Sequence, residues 1–286
     1  MSVELNTLNI IIGIFIFAFG VSIGSFLNVV AYRVPQKISL VSPRSFCTHC
    51  KKNIPNIDLI PIIGFFLSKG KCSNCKTKIS YQYPFVELLT GILTLFVFFK
   101  FLTPLDLINI IPYFNYDNSI QFGKFHFTNF VPFFTSLWII YTGIALSIID
   151  IKQRILPDFI TIPGTIIGFI IGSLNPELGW LESLIGIVAG AGGLYGISSL
   201  YKLIRNKDGM GMGDVKYLGF LGAVLGWKGI VFTLFYASIT GAIVGIIWGI
   251  ITKKGLKEAI PFGPFLGFGA FLVSTFGVEI AHYLFG

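Results

Sequence analysis

Leu8-Asn9-Ile10-Ile11-Ile12-Gly13-Ile14-Phe15-Ile16-Phe17-Ala18-Phe19-Gly20-Val21-Ser22-Ile23-Gly24-Ser25-Phe26-Leu27-Asn28-Val29-Val30-Ala31-Tyr32 is a stretch of 25 residues without a formally charged side chain. As a helix it reaches about 37 Å, more than the roughly 30 Å hydrocarbon core of a bilayer. It is continuously apolar rather than alternating, which selects a helix over a barrel strand. The residues before it include Glu4 but no Lys or Arg. A secretory signal opens on basic residues, so the stretch is read as a retained first span. Working outward, comparable runs occupy residues 85–102, 130–149, 159–174, 184–204, 215–225, 229–251 and 262–284. The sixth is short and broken by glycine. Of the 286 residues, 54% are hydrophobic and 12% charged, and the mean hydropathy is +0.81. Soluble domains carry about 25% charged residues. The expected fold is an all-α polytopic membrane protein of about eight transmembrane helices.

The net charge of +8 raises the question of nucleic acid, and its distribution answers it. With the N-terminus outside, residues 33–84 form the first inner loop, with Arg33, Lys37, Arg44, Lys51, Lys52, Lys69, Lys71, Lys76 and Lys78. The later inner segments hold Lys152 and Arg154, then Lys202, Arg205, Lys207 and Lys216, then Lys253, Lys254 and Lys257. Together these are 18 of the 21 Lys and Arg; only Lys100, Lys124 and Lys228 fall on the other side. Cytoplasmic loops are enriched in Lys and Arg, so both termini are expected outside. The basic residues serve the membrane, not nucleic acid. The outer loop 103–129 shows no motif, and His126 is read there as a surface residue. The glycine tract from Gly186 to Gly196 is read as a close-packing face between helices.

All four cysteines lie in the first inner loop, as Cys47-Thr48-His49-Cys50 and Cys72-Ser73-Asn74-Cys75. Two such knuckles suit a tetrahedral thiolate zinc site, and a reducing cytoplasm argues against disulfides. Four cysteines complete the shell without His49. A closed shell leaves no open position for catalysis, so the expected zinc is structural. Between the knuckles, residues 57–67 are apolar but too short to span. They are expected to lie in the membrane interface or against the bundle.

Acids are costly at a membrane edge. Two stand out: Asp150, ending an apolar run, and Asp214, in Gly209-Met210-Gly211-Met212-Gly213-Asp214-Val215-Lys216. The charge topology puts both on the cytoplasmic face. Two carboxylates sharing a site cannot both ionise, so one is left as a base and one as an acid, the state needed to hydrolyse a peptide. Gly211 and Gly213 are expected to admit an extended substrate strand and to adopt positive φ. Lys216 supports this loop, and Lys152 and Lys216 are expected to contact headgroups or water. The bland readings stand beside this one. The glycine stretch is then a simple loop and Asp150 a helix-end cap. Asp158 is expected to cap the fourth helix, and Asp208 to be solvated. Glu87, in the first turn of the second span, is expected to meet a loop base or backbone amides. The competing class is a zinc-loop membrane scaffold, or a transporter with buried acids. A transporter spreads its acids through the bilayer depth, whereas these cluster at one edge.

An ordered set of motifs resembles the type IV prepilin peptidases, membrane aspartic proteases of the Gly-x-Gly-Asp class. It runs from Gly24-Ser25-Phe26-Leu27-Asn28 with Tyr32-Arg33-Val34-Pro35, through the two knuckles, to Tyr81-Gln82-Tyr83-Pro84-Phe85-Val86-Glu87-Leu88-Leu89-Thr90-Gly91. Asp150 with Leu156-Pro157-Asp158, Gly211-Met212-Gly213-Asp214-Val215-Lys216 and Ile260-Pro261-Phe262-Gly263-Pro264 complete it. The resemblance implies that Asp150 and Asp214 are catalytic and that Cys47, Cys50, Cys72 and Cys75 are the metal tetrad. It implies residues 1–32 as a first span, 33–84 as a cytoplasmic zinc loop and 85–286 as the peptidase core. The implied location is the bacterial inner membrane, with the active site on its cytoplasmic face. The implied partners are membrane lipid and prepilins or type II secretion pseudopilins, cut after the Gly that ends a basic leader. It further implies methylation of the new N-terminus, usually Phe, from S-adenosylmethionine. No glycine-rich strand-to-helix fingerprint marks a site for that donor.

Overall fold

The computed structural model describes residues 2–102, 113–114, 120–121, 127–206, 211–252 and 260–285. The expectations for His126, Lys207, Asp208, Gly209 and Met210 lie outside them. The chain divides into two units, Met1–Phe133 and Phe134–Gly286.

In the first unit, α1 (Ser2–Arg33) lies against α3 (Gln82–Phe101), with a short helix α2 (Ile63–Leu67) in the segment between them. The two long helices close on a seam where glycines on each face admit the other helix. A Cβ on Gly24 would stand 2.8 Å from the Glu87 Cα, and one on Gly20 2.6 Å from the Thr94 Oγ1. From the other side, a Cβ on Gly91 would meet Val21 at 2.6 Å. The hydroxyls of Thr90 and Thr94 donate to their own helix at Val86 and Thr90, so the seam carries no orphaned donor there. A two-residue antiparallel pair, Tyr113–Phe114 with Ile120–Gln121, is the only strand structure among the described residues.

The second unit holds α4 (Phe127–Gln153, its residues from 134 on), α5 (Asp158–Leu174), α6 (Gly179–Ile187), α7 (Gly193–Arg205), α8 (Met212–Thr252) and α9 (Gly263–Phe285). A π-turn, Val188–Gly192, joins α6 to α7. The first arm of α8 is the centre of the unit. Tyr217, Leu218, Phe220, Leu221 and Val224 are buried there, with Ile139 and Leu146 of α4 and Leu266 and Ala270 of α9. The run expected to be the least regular is therefore the strut. Glycines on the facing helices explain this, because they let neighbours approach to backbone contact. A Cβ on Gly186 of α6 would come 2.1 Å from the Gly222 carbonyl oxygen, and one on Gly172 of α5 2.3 Å from that of Ala223.

Helix α8 has 41 residues, about 61 Å if straight and twice a bilayer core. It breaks at Gly226, with φ 68° and ψ 178°, a conformation open to glycine. The break falls between the sixth and seventh expected runs. Among the described residues, five helices are long and apolar enough to cross a membrane, and two shorter apolar helices cover Asp158–Leu174 and Gly263–Gly277. The all-helical membrane fold is thus present; these lengths do not by themselves count eight spans.

The glycine tract of α6 and α7 divides in two. Gly186 and Gly190 meet the α8 backbone, whereas Gly193 and Gly196 have nothing within 4 Å. Gly186→Ala is expected to cost about 1–3 kcal/mol through forced separation of helices. Gly193→Ala should be neutral or stabilising by about 0.5–1 kcal/mol, since Ala favours a helix. Thermal unfolding in detergent compares them, and equal stability of the two variants would contradict the packing account.

Candidate active site and metal centre

Asp150 lies in the last turn of α4 and is 6% exposed. Its carboxylate oxygen Oδ2 accepts a hydrogen bond of 2.9 Å from the Gly263 amide, the first residue of α9. A Cβ on Gly263 would crowd that oxygen at 2.8 Å and Leu156 at 3.2 Å. Asp214 lies in the first turn of α8, where unpaired backbone amides favour an anion. Both acids border Leu156: it lies 3.2 Å from where a Cβ on Gly263 would stand beside Asp150 Oδ2, and it packs on Gly213, the residue before Asp214. Leu156 wedges beside them, since a Cβ on Gly213 would stand 2.9 Å from its Cβ.

The glycine expectation needs correction. Positive φ among the described glycines occurs at Gly70, Gly179 and Gly226, not at Gly211 or Gly213. The reason is local: α8 already begins at Met212, with the Asp214 amide bonded to the Gly211 carbonyl at 3.1 Å. The smallness of Gly213 serves Leu156, and that of Gly211 serves the Asp214 carboxylate, 3.3 Å from where its Cβ would be.

Lys216 was expected at headgroups or water. Its Nζ instead donates to both carboxylate oxygens of Asp158, at 2.7 and 2.8 Å. Asp158 makes no side-chain cap on α5, whose cap position is Pro157. It still sits in the first turn, where an anion is favoured, and spends its oxygens on the lysine. Lys152 is exposed, as expected. The Lys216 and Asp158 side chains are 38% and 57% exposed. Lys216→Met should therefore lower stability by no more than about 1 kcal/mol. A loss of several kcal/mol on thermal unfolding would show that the pair holds the unit together.

The four cysteine sulfurs all lie within 4.8 Å of one another, and none is in a disulfide. Cys47 Sγ and Cys75 Sγ are 3.8 Å apart, about the edge of a tetrahedron with 2.3 Å metal–sulfur bonds. The two knuckles repeat one turn. The Lys51 amide donates to the Cys47 carbonyl and the Lys76 amide to that of Cys72, at 2.8 and 2.9 Å. Both lysines take a left-handed backbone, with φ 59° and 60°. The Thr77 hydroxyl and amide hold the Cys75 thiol down at about 5. The Lys52 amide also lowers Cys50, but burial and its neighbouring thiols push Cys50 up to about 11. Four thiolates so close need a cation. The cysteines fit a metal ion, and the exposed His49 is outside the cluster.

Glu87 falls in the second turn of α3, not the first, because the helix starts at Gln82. It is buried, and its Oε2 accepts from the Ile62 amide at 2.6 Å. The expected amide partner is found, but it comes from the loop. Arg33, also buried, donates to the carbonyls of Ser39 and Pro43, each at 2.8 Å, and holds the chain as it leaves α1. Sequence reasoning quotes Gly263 within Ile260-Pro261-Phe262-Gly263-Pro264 but gives it no role, and the contact of its amide with Asp150 has no local signal.

Residues 18–101 match the model of the bacterial peptidase A24 N-terminal domain, and residues 137–246 that of the type IV leader peptidase family. The chain is 34% identical to a prepilin leader peptidase/N-methyltransferase of Dichelobacter nodosus, over 95% of this chain and 94% of that one. It is 32% identical to the like-named protein of Stutzerimonas stutzeri, over 93% and 91% of the two chains. With that of Legionella pneumophila the identity is 30%, over 94% and 92%. No solved structure matches the chain.

Proposed function

The chain belongs to the type IV leader peptidase family, and on that premise we propose that it is a multi-pass inner-membrane endopeptidase that removes the leader from prepilins or pseudopilins and then methylates the new N-terminus. The observation that supports the reading is that the end of α4, with Asp150, and the start of α8, with Asp214, meet about Leu156 in the second unit. One carboxylate, ionised, takes a proton from water; the other, protonated, polarises the scissile carbonyl. The Gly263 amide engages one oxygen of Asp150 and leaves the other for the shared proton. Leu156, Gly211 and Gly213 shape the ground beside Asp214. The Lys and Arg asymmetry supports an active site on the cytoplasmic face and both termini outside.

The metal at Cys47, Cys50, Cys72 and Cys75 is read as zinc with a structural role. Four thiolates favour zinc and leave it no open position. S-adenosylmethionine supplies the methyl group. No strand among the described residues leads into a glycine-rich helix start.

The test is a prepilin with a basic leader ending in Gly, mixed with the protein in liposomes and followed by product mass. Cleavage after that Gly is expected, with a product heavier by one methyl group once S-adenosylmethionine is added. An uncut substrate would overturn the reading.

A further inference from the structure

We propose that residues 57–67 form an interfacial anchor that seats the cysteine loop in the headgroup and upper acyl region of an anionic bilayer. The first observation is one of depth. Glu87 lies five residues into a membrane-spanning helix, about 7.5 Å from its start, and it holds the Ile62 amide at 2.6 Å. The backbone of the loop segment is thereby tied to the second turn of a span. Glu87 in turn faces Gly24 of α1, another spanning helix.

The second observation is how the chain is bent to reach that level. Ile62 has φ 61° and ψ −57°, and the Ile63 amide bonds to the Pro61 carbonyl at 2.6 Å. This is a γ-turn with positive central φ, rare and strained, above all for a β-branched residue. The Glu87 carboxylate grips its central amide. A Cβ on Gly64 would stand 2.2 Å from the Asp58 carbonyl oxygen, so the segment folds back on itself tightly.

The third observation is what the bend presents. Ile57, Ile60, Ile63, Phe66 and Leu67 are between 43% and 70% exposed. Their neighbour Phe65 packs on the Tyr81 ring, with centroids 5.4 Å apart. A loop in water gains nothing from such a patch. Lys69 and Lys71, both exposed, follow it directly. Its acid, Asp58, is engaged by the Ser73 hydroxyl. An apolar face with a basic flank matches the boundary of an anionic bilayer. The inference rests on the chain being a membrane protein and not on the aspartate reading.

The test places the photoreactive residue p-benzoylphenylalanine at position 66 of the full-length protein and, separately, at position 48 in a knuckle. Each protein is set in vesicles of phosphatidylethanolamine and phosphatidylglycerol, irradiated and analysed by mass. Metal content equal to the wild type establishes that the loop is folded. Lipid adducts are expected at position 66 and none at position 48, with the yield falling when neutral phosphatidylcholine replaces phosphatidylglycerol. Crosslinking of position 66 to a second copy, or no adduct there, would overturn the anchor. A yield indifferent to lipid charge would overturn its anionic preference. Neither result depends on cleavage, so failure of the anchor and failure of the peptidase reading are distinguishable.

Discussion

Asp150→Asn and Asp214→Asn are each expected to lower kcat for leader cleavage by about 10²–10⁴-fold, the span that a positioned acid or base contributes. KM should change little, because the lost interaction belongs to the transition state rather than to substrate binding. Asparagine keeps the shape of aspartate. At position 150 its carbonyl oxygen still accepts from the Gly263 amide, which now lies 2.9 Å from Oδ2. Thermal unfolding should therefore stay near the wild type, and the activity loss cannot be assigned to a damaged fold. Asp158→Asn is the control: it also loses a carboxylate, but one committed to Lys216 of α8. It should retain most of the cleavage. Wild-type activity should trace a bell against pH, since a pair that shares one proton loses function when it gains a second or gives up the first. Initial rates on one prepilin across the four proteins check all of this. Near-normal cleavage by either dyad variant would remove that residue from the chemistry.

Replacing Cys47 and Cys50 together by serine, or Cys72 and Cys75, is expected to bring bound metal close to zero and unfold residues 45–80. The loop has little buried core of its own. Within that stretch Gly64 and Cys72 are the buried residues. Structural zinc supplies about 10–16 kcal/mol of apparent binding energy at such sites, and that energy is folding energy. The contacts that remain include those of Glu87 with Ile62, Asp58 with Ser73, Asn74 with the Asn53 carbonyl, Arg44 with Asn56, and the rings of Phe46 and Phe65 on Tyr32 and Tyr81. They do not replace it. Because the ligands bind as thiolates, lowering the pH should release the metal from the wild type in the same way. Metal analysis with limited proteolysis of the loop decides the matter. Stoichiometric metal in either double variant would show that the ligand set is wrong.

What the sequence by itself determined is what depends on near neighbours. Apolar runs of bilayer length specify helices, because backbone groups in lipid have to be satisfied within their own segment. Thus residues 8–32 fall within α1 and residues 229–251 within α8. Two Cys-x-x-Cys turns specify a four-sulfur cluster, because each knuckle closes on itself and two knuckles complete a shell. Asp150 and Asp214 stood out because an acid at a membrane edge is conspicuous in a chain only 12% charged.

Only the tertiary structure decided the contacts that cross the chain. The Gly263 amide reaches Asp150 across 113 residues, Lys216 reaches Asp158 across 58, and Glu87 reaches Ile62 across 25. A carboxylate has several possible partners, and helical periodicity speaks only of residues three or four apart, so no local pattern chooses among them. The same limit explains the glycines. Gly211 and Gly213 are expected to take positive φ, yet Gly226 is the one that does so and breaks α8, and Gly213 is small because Leu156 lies against it. Whether a glycine serves a bend or a neighbour is set by what folds against it, and that neighbour is distant in the chain.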